Sequence, residues 1–505
     1  MKAAGRWRHV RRFGACGVVA VCAVAAPVSA SARGQARTPE ASQAASQSVI
    51  PAALEQEIRD LRARLQAAVA RAADAGEAGA MTLADQMLLV ESLTSLAAEI
   101  RALEARLAAV QQQTEPQPAK GAVVSAGADG FSVQSADGAF RLRLRGFISA
   151  DGRFYLDDAS LRPPDGFLIR RARPIVDVTV WKRFDLRIAP EFAQGRVVLL
   201  DGYIDARASA VLSARVGKFK SPFSLERLAS EADLPLLERS LVSNLAPDRD
   251  VGVMAYGDLA GATVSYSAGV FDGAVDGASA DVGEHDSKEV VGRVFVQPLR
   301  RGSTAAADLG FGAAATYDSL VGTAPLPHLP QFKTSGEQVF FRYRPEAVAD
   351  GLHYRWSLQG YYYHGPFGLL AERVVSSQRV TRGDATADVA ATGWEVTSSF
   401  ALTGERESFQ GMVPQRPLDP GSGQWGAWQL TARYSRLVVD DAAFPLFAAS
   451  GAARAAGAWA AGITWYLNRN VKVMFNYERT GFAAPPGGVP GPAATELLGR
   501  FQLAF

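Results

Sequence analysis

The sequence is poor in cysteine, in histidine and in long apolar runs. Its 505 residues include two cysteines and five histidines, and both cysteines, Cys16 and Cys22, lie within the first 30 residues. A mature chain without those 30 residues would have no disulfide, no cysteine-ligated zinc and no thiol nucleophile. Beyond the N-terminus, no stretch offers 18 uncharged apolar residues, which excludes a helical membrane protein.

Basic and acidic residues are nearly balanced, with 53 Lys and Arg against 51 Asp and Glu. This balance excludes a wholly disordered acidic or basic polypeptide. Removing residues 1–30 takes away five basic residues and no acidic ones, which leaves 48 basic and 51 acidic. The sequence therefore predicts no binding to nucleic acid. The length suits two or three ordinary domains or one large closed domain.

Residues 1–30 have the pattern of a secretory signal peptide. Five basic residues precede an apolar run near residues 15–26, and Val28, Ser29 and Ala30 form a small-residue cleavage site. The apolar run is too short to span a bilayer. We therefore expect export, and an exported chain of this size without cysteine is typical of a bacterial envelope protein.

Residues 31–53 are rich in Ala, Ser and Gln and are expected to be flexible. A helical pattern of apolar residues begins after them. Apolar residues recur at gaps of four and three from Leu54 to Ala68 and again from Leu93 to Val110. Such a heptad seam predicts an oligomeric α-helical coiled coil over residues 54–110. The alternative is an amphipathic helix packed on its own domain. A Pro/Gln-rich linker is expected within residues 111–130.

From about Phe131 the apolar period falls to two. In Phe140–Arg145 apolar residues alternate with arginines, and related segments separated by turn residues recur to the end of the chain. Half-buried strands of this kind build soluble sandwiches and propellers or transmembrane barrels. Two observations favour the barrel. Charged residues occupy the alternate face of the strands throughout, and aromatic residues lie near strand ends, as in Tyr361–Tyr363. The terminal Phe505 resembles the last residue that barrel-insertion machinery reads.

The length of this tract sets the size of the barrel. The 366 residues from 140 to 505, at roughly 23 residues for each strand with its loop, predict about 16 antiparallel strands, although 14 or 18 would also fit. A barrel of that width encloses an aqueous lumen. The predicted fold is an all-β transmembrane barrel over residues 131–505, preceded by the N-terminal α-helical coiled coil.

Arginine is concentrated on the polar face of the early strands, which would face the lumen of a closed barrel. Rings of Arg and Lys select anions in pores, and planar guanidinium groups fit phosphate oxygens. The predicted basic wall of the lumen consists of Arg141, Arg143, Arg145, Arg173, Arg187, Arg215, Lys218 and Lys220. The alternative is that each arginine merely pairs with an acidic residue such as Asp201, Asp205 or Glu226.

Signatures of enzymes are scarce. The sequence has no G-x-S-x-G elbow and no H-E-x-x-H motif, and the histidines beyond residue 30 are scattered, at His285, His328, His353 and His364. We therefore predict no catalytic residues, no metal ligands and no cofactor. A Ser/His/Asp site that assembles only in space would escape such a search.

Eight stretches of the chain follow one known pattern in order and in spacing. They are Phe140–Phe154, Phe167–Arg173, Asp201–Ala206, Val216–Glu226, Leu237–Leu241, Ala401–Glu405, Gly426–Tyr434 and Ile463–Tyr477. Through them, residues 131–505 resemble the phosphate-selective porin O/P family. The resemblance implies a passive outer-membrane channel. It is expected to be a homotrimer in which each subunit forms a sixteen-stranded barrel and an inward-folded loop narrows each pore.

The resemblance also implies which residues line the constriction. The family's paired arginines match Arg170 and Arg171, its earlier channel arginine matches Arg153, and its aspartate matches Asp205. The implied ligands are inorganic anions, namely phosphate, pyrophosphate or polyphosphate. The constricting loop is expected within Ser221–Asp250. Strict alternation would turn only one of the paired arginines inward, so we expect a bulge or a strand end beside them.

The chain departs from the family's best-known phosphate channels, because lysine is sparse, Arg227 stands where a lysine is expected, and those channels lack the stalk. Three functions therefore stay open. The first is an anion-favouring channel for phosphate or polyphosphate. The second is a general, weakly selective porin in which Arg170 and Arg171 are salt-bridged wall residues. The third is a structural tether that links the outer membrane to the cell wall. Each places the barrel in outer-membrane lipid and the stalk in the periplasm.

Overall fold

The structure is a computed structural model that describes residues 54–71, 83–114, 121–157, 163–283, 285–300 and 308–505. The expected signal peptide and the expected flexible segment, residues 1–30 and 31–53, lie outside the described residues. The chain divides into two compact units between Pro118 and Ala119. This division falls within the expected linker, residues 111–130, whose first four residues are still helical and whose last ones already form strands.

The first unit is a pair of helices, α1 over residues 54–71 and α2 over Leu83–Thr114. Their apolar seams pack against each other, and an ion pair of 2.5 Å joins Arg62 to Glu104 beside the contact. The buried residues of this contact are Ile58, Leu61, Ile100 and Leu103. The seam expected to face another copy of the chain therefore faces a second helix of the same chain, and an oligomeric coiled coil stays a prediction. No helix in the described residues has both the length and the apolarity to cross a membrane.

The second unit is a closed antiparallel β-barrel of 16 strands, the number expected from the sequence. A hairpin of strands β1 (Val123–Gly127) and β2 (Gly130–Gln134) precedes it, and a two-stranded sheet, β12 (Gln331–Lys333) and β13 (Val339–Arg342), lies within one connection. The barrel strands are β3 (Phe140–Tyr155), β4 (Gly166–Val180), β5 (Phe184–Glu191), β6 (Val198–Arg207), β7 (Ser213–Lys220), β8 (Arg249–Leu259), β9 (Val264–Phe271), β10 (Glu289–Val296), β11 (Leu309–Val321), β14 (Val348–His364), β15 (Phe367–Arg382), β16 (Ala385–Ala401), β17 (Ala427–Val439), β18 (Ala455–Tyr466), β19 (Val471–Ala483) and β20 (Ala494–Ala504).

The barrel closes where β20 pairs with residues 147–155 of β3. Strand β2 continues the same edge of β3 by pairing with residues 141–144. The rings of Phe131 in β2 and Phe505 meet edge to face, with centroids 6.0 Å apart. The hairpin therefore extends the barrel wall beyond the last residue of the chain.

Side-chain burial alternates along the strands and separates an apolar outer face from a polar inner face. In β3 the even-numbered Phe140, Leu142 and Ile148 are exposed, whereas Ser149 and Asp151 are buried. An apolar exterior around a polar interior is the arrangement that a barrel in lipid requires. The arginines that alternate with apolar residues in β3 therefore face the lumen, as the sequence predicts.

The longest connection, residues 221–248, folds into the barrel and is named the inner loop. It joins β7 to β8 at the distal end, opposite the end that holds Phe505, and contains a helix, α3 (Leu225–Leu228), and a 3-10 helix, Leu241–Leu245. Its apolar residues pack on the far wall, where Leu237 contacts Met474 and Leu498. The inward loop expected from the sequence is thus present. Two further distal connections, residues 272–288 and 322–347, contact it through hydrogen bonds.

The closing seam predicts a specific cross-link. Gly146 and Phe505 exchange both backbone hydrogen bonds, so Ser149 and Gln502 form a non-hydrogen-bonded pair, in which the Cα atoms lie about 4.5 Å apart. We expect Ser149→Cys with Gln502→Cys to form a disulfide, because that spacing suits an S–S bond. The denatured, unreduced chain should then migrate faster on a gel and return to its normal position with reductant.

The control combines Ser149→Cys with Leu498→Cys, which shifts the second cysteine by four residues along β20. The two Cα atoms are then roughly 14 Å apart, and no disulfide should form. Cross-linking of the control pair without cross-linking of the test pair would show that the seam has another register.

Candidate functional site

A β-bulge turns Arg170 and Arg171 toward the inside of the barrel together. Ser149 of β3 pairs with Arg171, and the next residue, Ala150, pairs with Ile169, so Arg170 is the extra residue of β4. An extra residue interrupts the two-residue alternation of side chains. Of the two arrangements expected from the sequence, a bulge or a strand end, the structure has the bulge. Each arginine reaches a different glutamate of the inner loop.

Glu238 of the inner loop contacts three arginines from three strands. Its Oε1 accepts hydrogen bonds from Nη2 of Arg153 and from Nε of Arg170, both at 2.6 Å, and its Oε2 accepts one from Nη2 of Arg170 at 3.0 Å. Nη2 of Arg500, in the last strand, lies 3.3 Å from Oε1. The Glu238 side chain is only 12% exposed. These four residues are named the Glu238 cluster.

Glu231 of the same loop is the centre of a second cluster, named the Glu231 cluster. It accepts hydrogen bonds from Arg171 at 3.1 Å, from Arg173 at 2.6 Å and from Arg239 at 3.0 Å. Arg173 also donates to Glu191 at the distal end of β5, at 2.9 Å. Neighbouring residues of β4 thus supply arginines to both clusters, because the bulge brings them to one face.

Both glutamates are ionised at neutral pH. Burial opposes their ionisation, but the guanidinium groups of each cluster outweigh it, led by Arg170 for Glu238 and by Arg171 for Glu231. They hold the pKa of each carboxyl well below its usual value. The arginines of the two clusters are therefore held in ion pairs with the inner loop.

Asp205, which the sequence groups with these arginines, lies elsewhere. It pairs with Arg215 of β7 through two contacts of 2.8 Å. The strand register places Asp205 opposite Asp185, and Asp185 opposite Thr179. Thr179 lies eight residues along β4 from Arg171, so their Cα atoms are about 26 Å apart. The structure does not bring Asp205 to the arginine clusters. Their carboxylates come instead from the inner loop and from the barrel wall, where Asp151 of β3 pairs with Arg500 at 2.7 Å.

The arginines of the predicted basic wall face the lumen, but several of their charges are paired. Arg145 and Arg187 share the carboxylate of Asp177, at 2.7 Å each. Arg141 and Arg143 are half-buried on the same face of β3, and neither forms an ion pair with a residue that the structure describes. The alternative interpretation, wall arginines paired with acids, therefore applies to Arg145 and Arg187 but not to Arg141 and Arg143.

The two lysines of the wall lie near the distal end of β7. Lys218 pairs with Asp281 of the connection between β9 and β10. The Nζ of Lys220 donates to the backbone oxygen of Ala229 in the inner loop at 2.7 Å. Both lysines therefore hold connections in place and add little free charge to the lumen.

Sequence reasoning missed the acidic partners and two of the arginines, Arg239 and Arg500. Glu238 lies within the matched stretch Leu237–Leu241, and a glutamate beside an arginine in an inward loop was the available signal. Arg500 gave no local signal, because it reaches Arg153 and Arg170 only when the last strand closes the barrel.

Two cavities lie on either side of the inner loop, and Glu238 lines both. The large cavity, about 950 Å³, opens toward the distal end between β4 and the distal connections. The small cavity, about 40 Å³, lies between the inner loop and residues 402–426, the connection at the end that holds Phe505. Ten Arg or Lys and seven Asp or Glu residues line the large cavity, so its lining carries an excess of positive charge.

A comparison with protein families decides the identity of the barrel. The sequence model of the family "phosphate-selective porin O and P" matches residues 140–480, which is more than half of the chain and runs from β3 into β19. The chain belongs to this family. As a porin, it forms a channel in the outer membrane, and the family and the fold point to a channel rather than an enzyme. No curated protein sequence matches this porin.

Solved structures of outer-membrane channels have a similar fold. The outer membrane channel DcaP of Acinetobacter baumannii covers 74% of this porin and 99% of its own chain, with a TM-score of 0.50 and 11% identity. The match to OprB of Pseudomonas putida covers 72% of this porin and 94% of the OprB chain, with a TM-score of 0.48 and 10% identity. The match to the anion-selective porin from Comamonas acidovorans covers 72% of this porin and 100% of the other chain, with a TM-score of 0.47 and 12% identity. At these identities the DcaP match supports the barrel fold alone.

The apolar anchor of the inner loop yields a stability prediction. Leu237 is 2% exposed, and Leu237→Ala would leave a cavity against Met474 and Leu498 that costs about 2–5 kcal/mol. We expect trypsin to cleave the variant after Arg239 roughly tenfold faster or more, because each 1.4 kcal/mol changes the open population tenfold. Mass spectrometry of the detergent-solubilised porin measures the cleavage.

The matched control is Leu446→Ala, which truncates a leucine that is 49% exposed in the connection between β17 and β18. Its cleavage rate should equal that of the unsubstituted porin. Equal rates for all three proteins would mean that Leu237 does not anchor the loop.

Proposed function

We propose that this porin is a passive, anion-favouring channel for phosphate or polyphosphate, with an arginine-lined constriction at the inner loop. One observation carries the proposal: Arg153, Arg170 and Arg500 converge on a single carboxylate group between the two cavities. Converging guanidinium groups match the geometry of phosphate oxygens and give charge-assisted hydrogen bonds. Because the lumen walls have a low dielectric constant, they focus the field of these groups.

The large cavity supports the approach of anions. Its lining has three more basic than acidic residues. Two of the basic residues, Arg196 and Arg342, are exposed there and form no ion pair within the described part of the chain. We propose that they receive a hydrated anion, which then exchanges water for guanidinium hydrogen bonds at the constriction. Several successive weak sites let the anion leave again.

The ion pairs at the constriction favour a second candidate function. Arg170 and Arg171 are each bonded to a glutamate of the inner loop, and a guanidinium group held in such a pair attracts a passing anion less strongly. On this alternative the porin is general and weakly selective. The two functions differ in their response to phosphate.

We also propose a homotrimer in the outer membrane, with residues 54–110 in the periplasm. Membership of the porin family supports the trimer and the orientation. Phe505 supports recognition by the barrel-insertion machinery, because this residue is 37% exposed beside Phe131 at the end of the last strand. The helix pair α1–α2 keeps open the tether alternative, in which this unit contacts the cell wall.

Planar-bilayer recordings in chloride separate the two channel functions. We expect a reversal potential that indicates anion preference and a current that sub-millimolar phosphate reduces. Arg170→Ala with Arg171→Ala should raise the half-blocking phosphate concentration at least tenfold, about 1.4 kcal/mol, since two charge-assisted contacts are lost. Arg379→Ala is the control, because Arg379 pairs with Asp388 at the exposed distal rim, away from the inner loop. A chloride current that ignores phosphate would support the general porin.

Deleting residues 31–118 tests the tether. The remaining unit contains every strand of the barrel and the whole inner loop, so we expect unchanged single-channel conductance and unchanged ion selectivity. The measurement is the same bilayer recording, combined with an assay for release of outer-membrane vesicles. Increased vesicle release at normal conductance would establish a tether role beside the pore.

A further inference from the structure

We infer that the Glu238 carboxylate is a tethered occupant of the channel's own anion site, and that a permeating oxyanion must displace it. This inference rests on the proposed function and deepens it. It identifies the group that closes the pathway and the chemical class that opens it.

The donors around Glu238 exceed what its carboxylate accepts. Its two carboxylate oxygens receive contacts from Arg153, Arg170 and Arg500. Asp151 of β3 shares two of these arginines, since it accepts hydrogen bonds from Arg500 at 2.7 and 2.8 Å and from Arg153 at 3.4 Å. The Nε of Arg153 is nevertheless buried and has no hydrogen-bond partner among the residues that the structure describes, a costly state for a charged group. A carboxylate with two oxygens leaves this donor unused, whereas an oxyanion with three or four oxygens could accept it as well.

The position of Glu238 is that of a barrier. Of the described residues, Glu238 alone lines both the large cavity and the small cavity. The Glu231 side chain, by contrast, lines the large cavity alone, with its arginines on the wall and within the loop. An anion that moves between the two cavities therefore passes the Glu238 cluster and meets its arginines while the carboxylate occupies them.

Displacement requires only that the side chain rotates, because other contacts hold the loop backbone. Nη1 of Arg433 donates to the backbone oxygen of Glu238 at 2.8 Å, and Nη1 of Arg500 donates to that of Leu237 at 2.8 Å. Leu237 is also packed into the wall. The carboxylate can therefore leave its arginines while residues 237 and 238 stay in place.

The exchange favours oxyanions over chloride. The three guanidinium groups present several N–H donors in fixed directions, and an oxyanion can bridge them with separate oxygens. Chloride is a single sphere and cannot reproduce the two-oxygen contact that Arg170 makes with Glu238. The channel thus admits phosphate-like anions by competition at one site.

Glu238→Gln tests the inference in planar bilayers with phosphate titrated into chloride. The amide keeps the size of the side chain but no longer competes for the arginines. A site that is open only part of the time binds with an affinity reduced by that fraction. We therefore expect the half-blocking phosphate concentration to fall about tenfold. Asp388→Asn is the control, because it removes the same charge from an exposed pair at the distal rim.

A purely structural role for Glu238 predicts the opposite sign. Loss of an ion pair that merely orders the loop would weaken phosphate block and speed trypsin cleavage after Arg239. Glu238→Asp gives a second measurement, because it keeps the charge but shortens the side chain by one methylene group. We expect its half-blocking concentration to fall about threefold, since the shorter side chain occupies the site less often.

The outcomes separate the two proposals. If phosphate blocks neither the unsubstituted porin nor Glu238→Gln, the proposed function fails. If phosphate blocks the unsubstituted porin and Glu238→Gln shows an unchanged or higher half-blocking concentration, the tethered occupant is excluded and the anion channel stands. Should Glu238→Gln not assemble, an unchanged or higher value for Glu238→Asp excludes the tethered occupant in the same way.

Discussion

The structure of this porin depends on one constraint: backbone N–H and C=O groups in hydrocarbon have no water to bond with. Every strand must therefore pair on both edges, and the sheet must close. Closure by β20 on β3 forces polar side chains to one side of each strand. In this chain those polar side chains are rich in arginine. The high density of charge in the lumen thus follows from the need to pair every backbone N–H and C=O group with a hydrogen-bond partner.

Charges that are confined in this way find partners across the lumen. Arginines from β3, β4 and β20 meet two glutamates of the inner loop, Glu231 and Glu238. The loop is fixed at the same time by Leu237 against the wall and by hydrogen bonds from Ser224 and from the backbone of Leu225 to Glu372 of β15. Electrostatic and apolar contacts act together, because an ion pair orients the loop and buried leucines resist its release.

Local patterns predicted the barrel well, whereas contacts between distant segments escaped them. Alternation along β3 identified the lumen face. The adjacent Arg170 and Arg171 predicted a bulge or a strand end, and a bulge is observed. The pairing of Asp205 with Arg215 and the approach of Arg500 depend on register and closure, which no single segment encodes. The helical seam shows a similar limit. Heptad spacing defines the apolar face of a helix, but it does not say whether the partner is another copy of the chain or, as in α1 and α2, the same chain.

The hairpin β1–β2 has a mechanical consequence for the closed sheet. Each other pair of adjacent strands in the barrel is joined by a covalent connection at one end. Strands β3 and β20, in contrast, come from opposite ends of the barrel sequence and are held by non-covalent contacts, namely their ladder and the ion pair of Arg500 with Asp151. The β3–β20 ladder is therefore the place where the strands of the closed barrel would separate first. The four additional residue pairs between β2 and β3, together with the contact of Phe131 with Phe505, brace this ladder at the end where the chain terminates. We therefore expect separation of β3 from β20 to begin at the opposite rim.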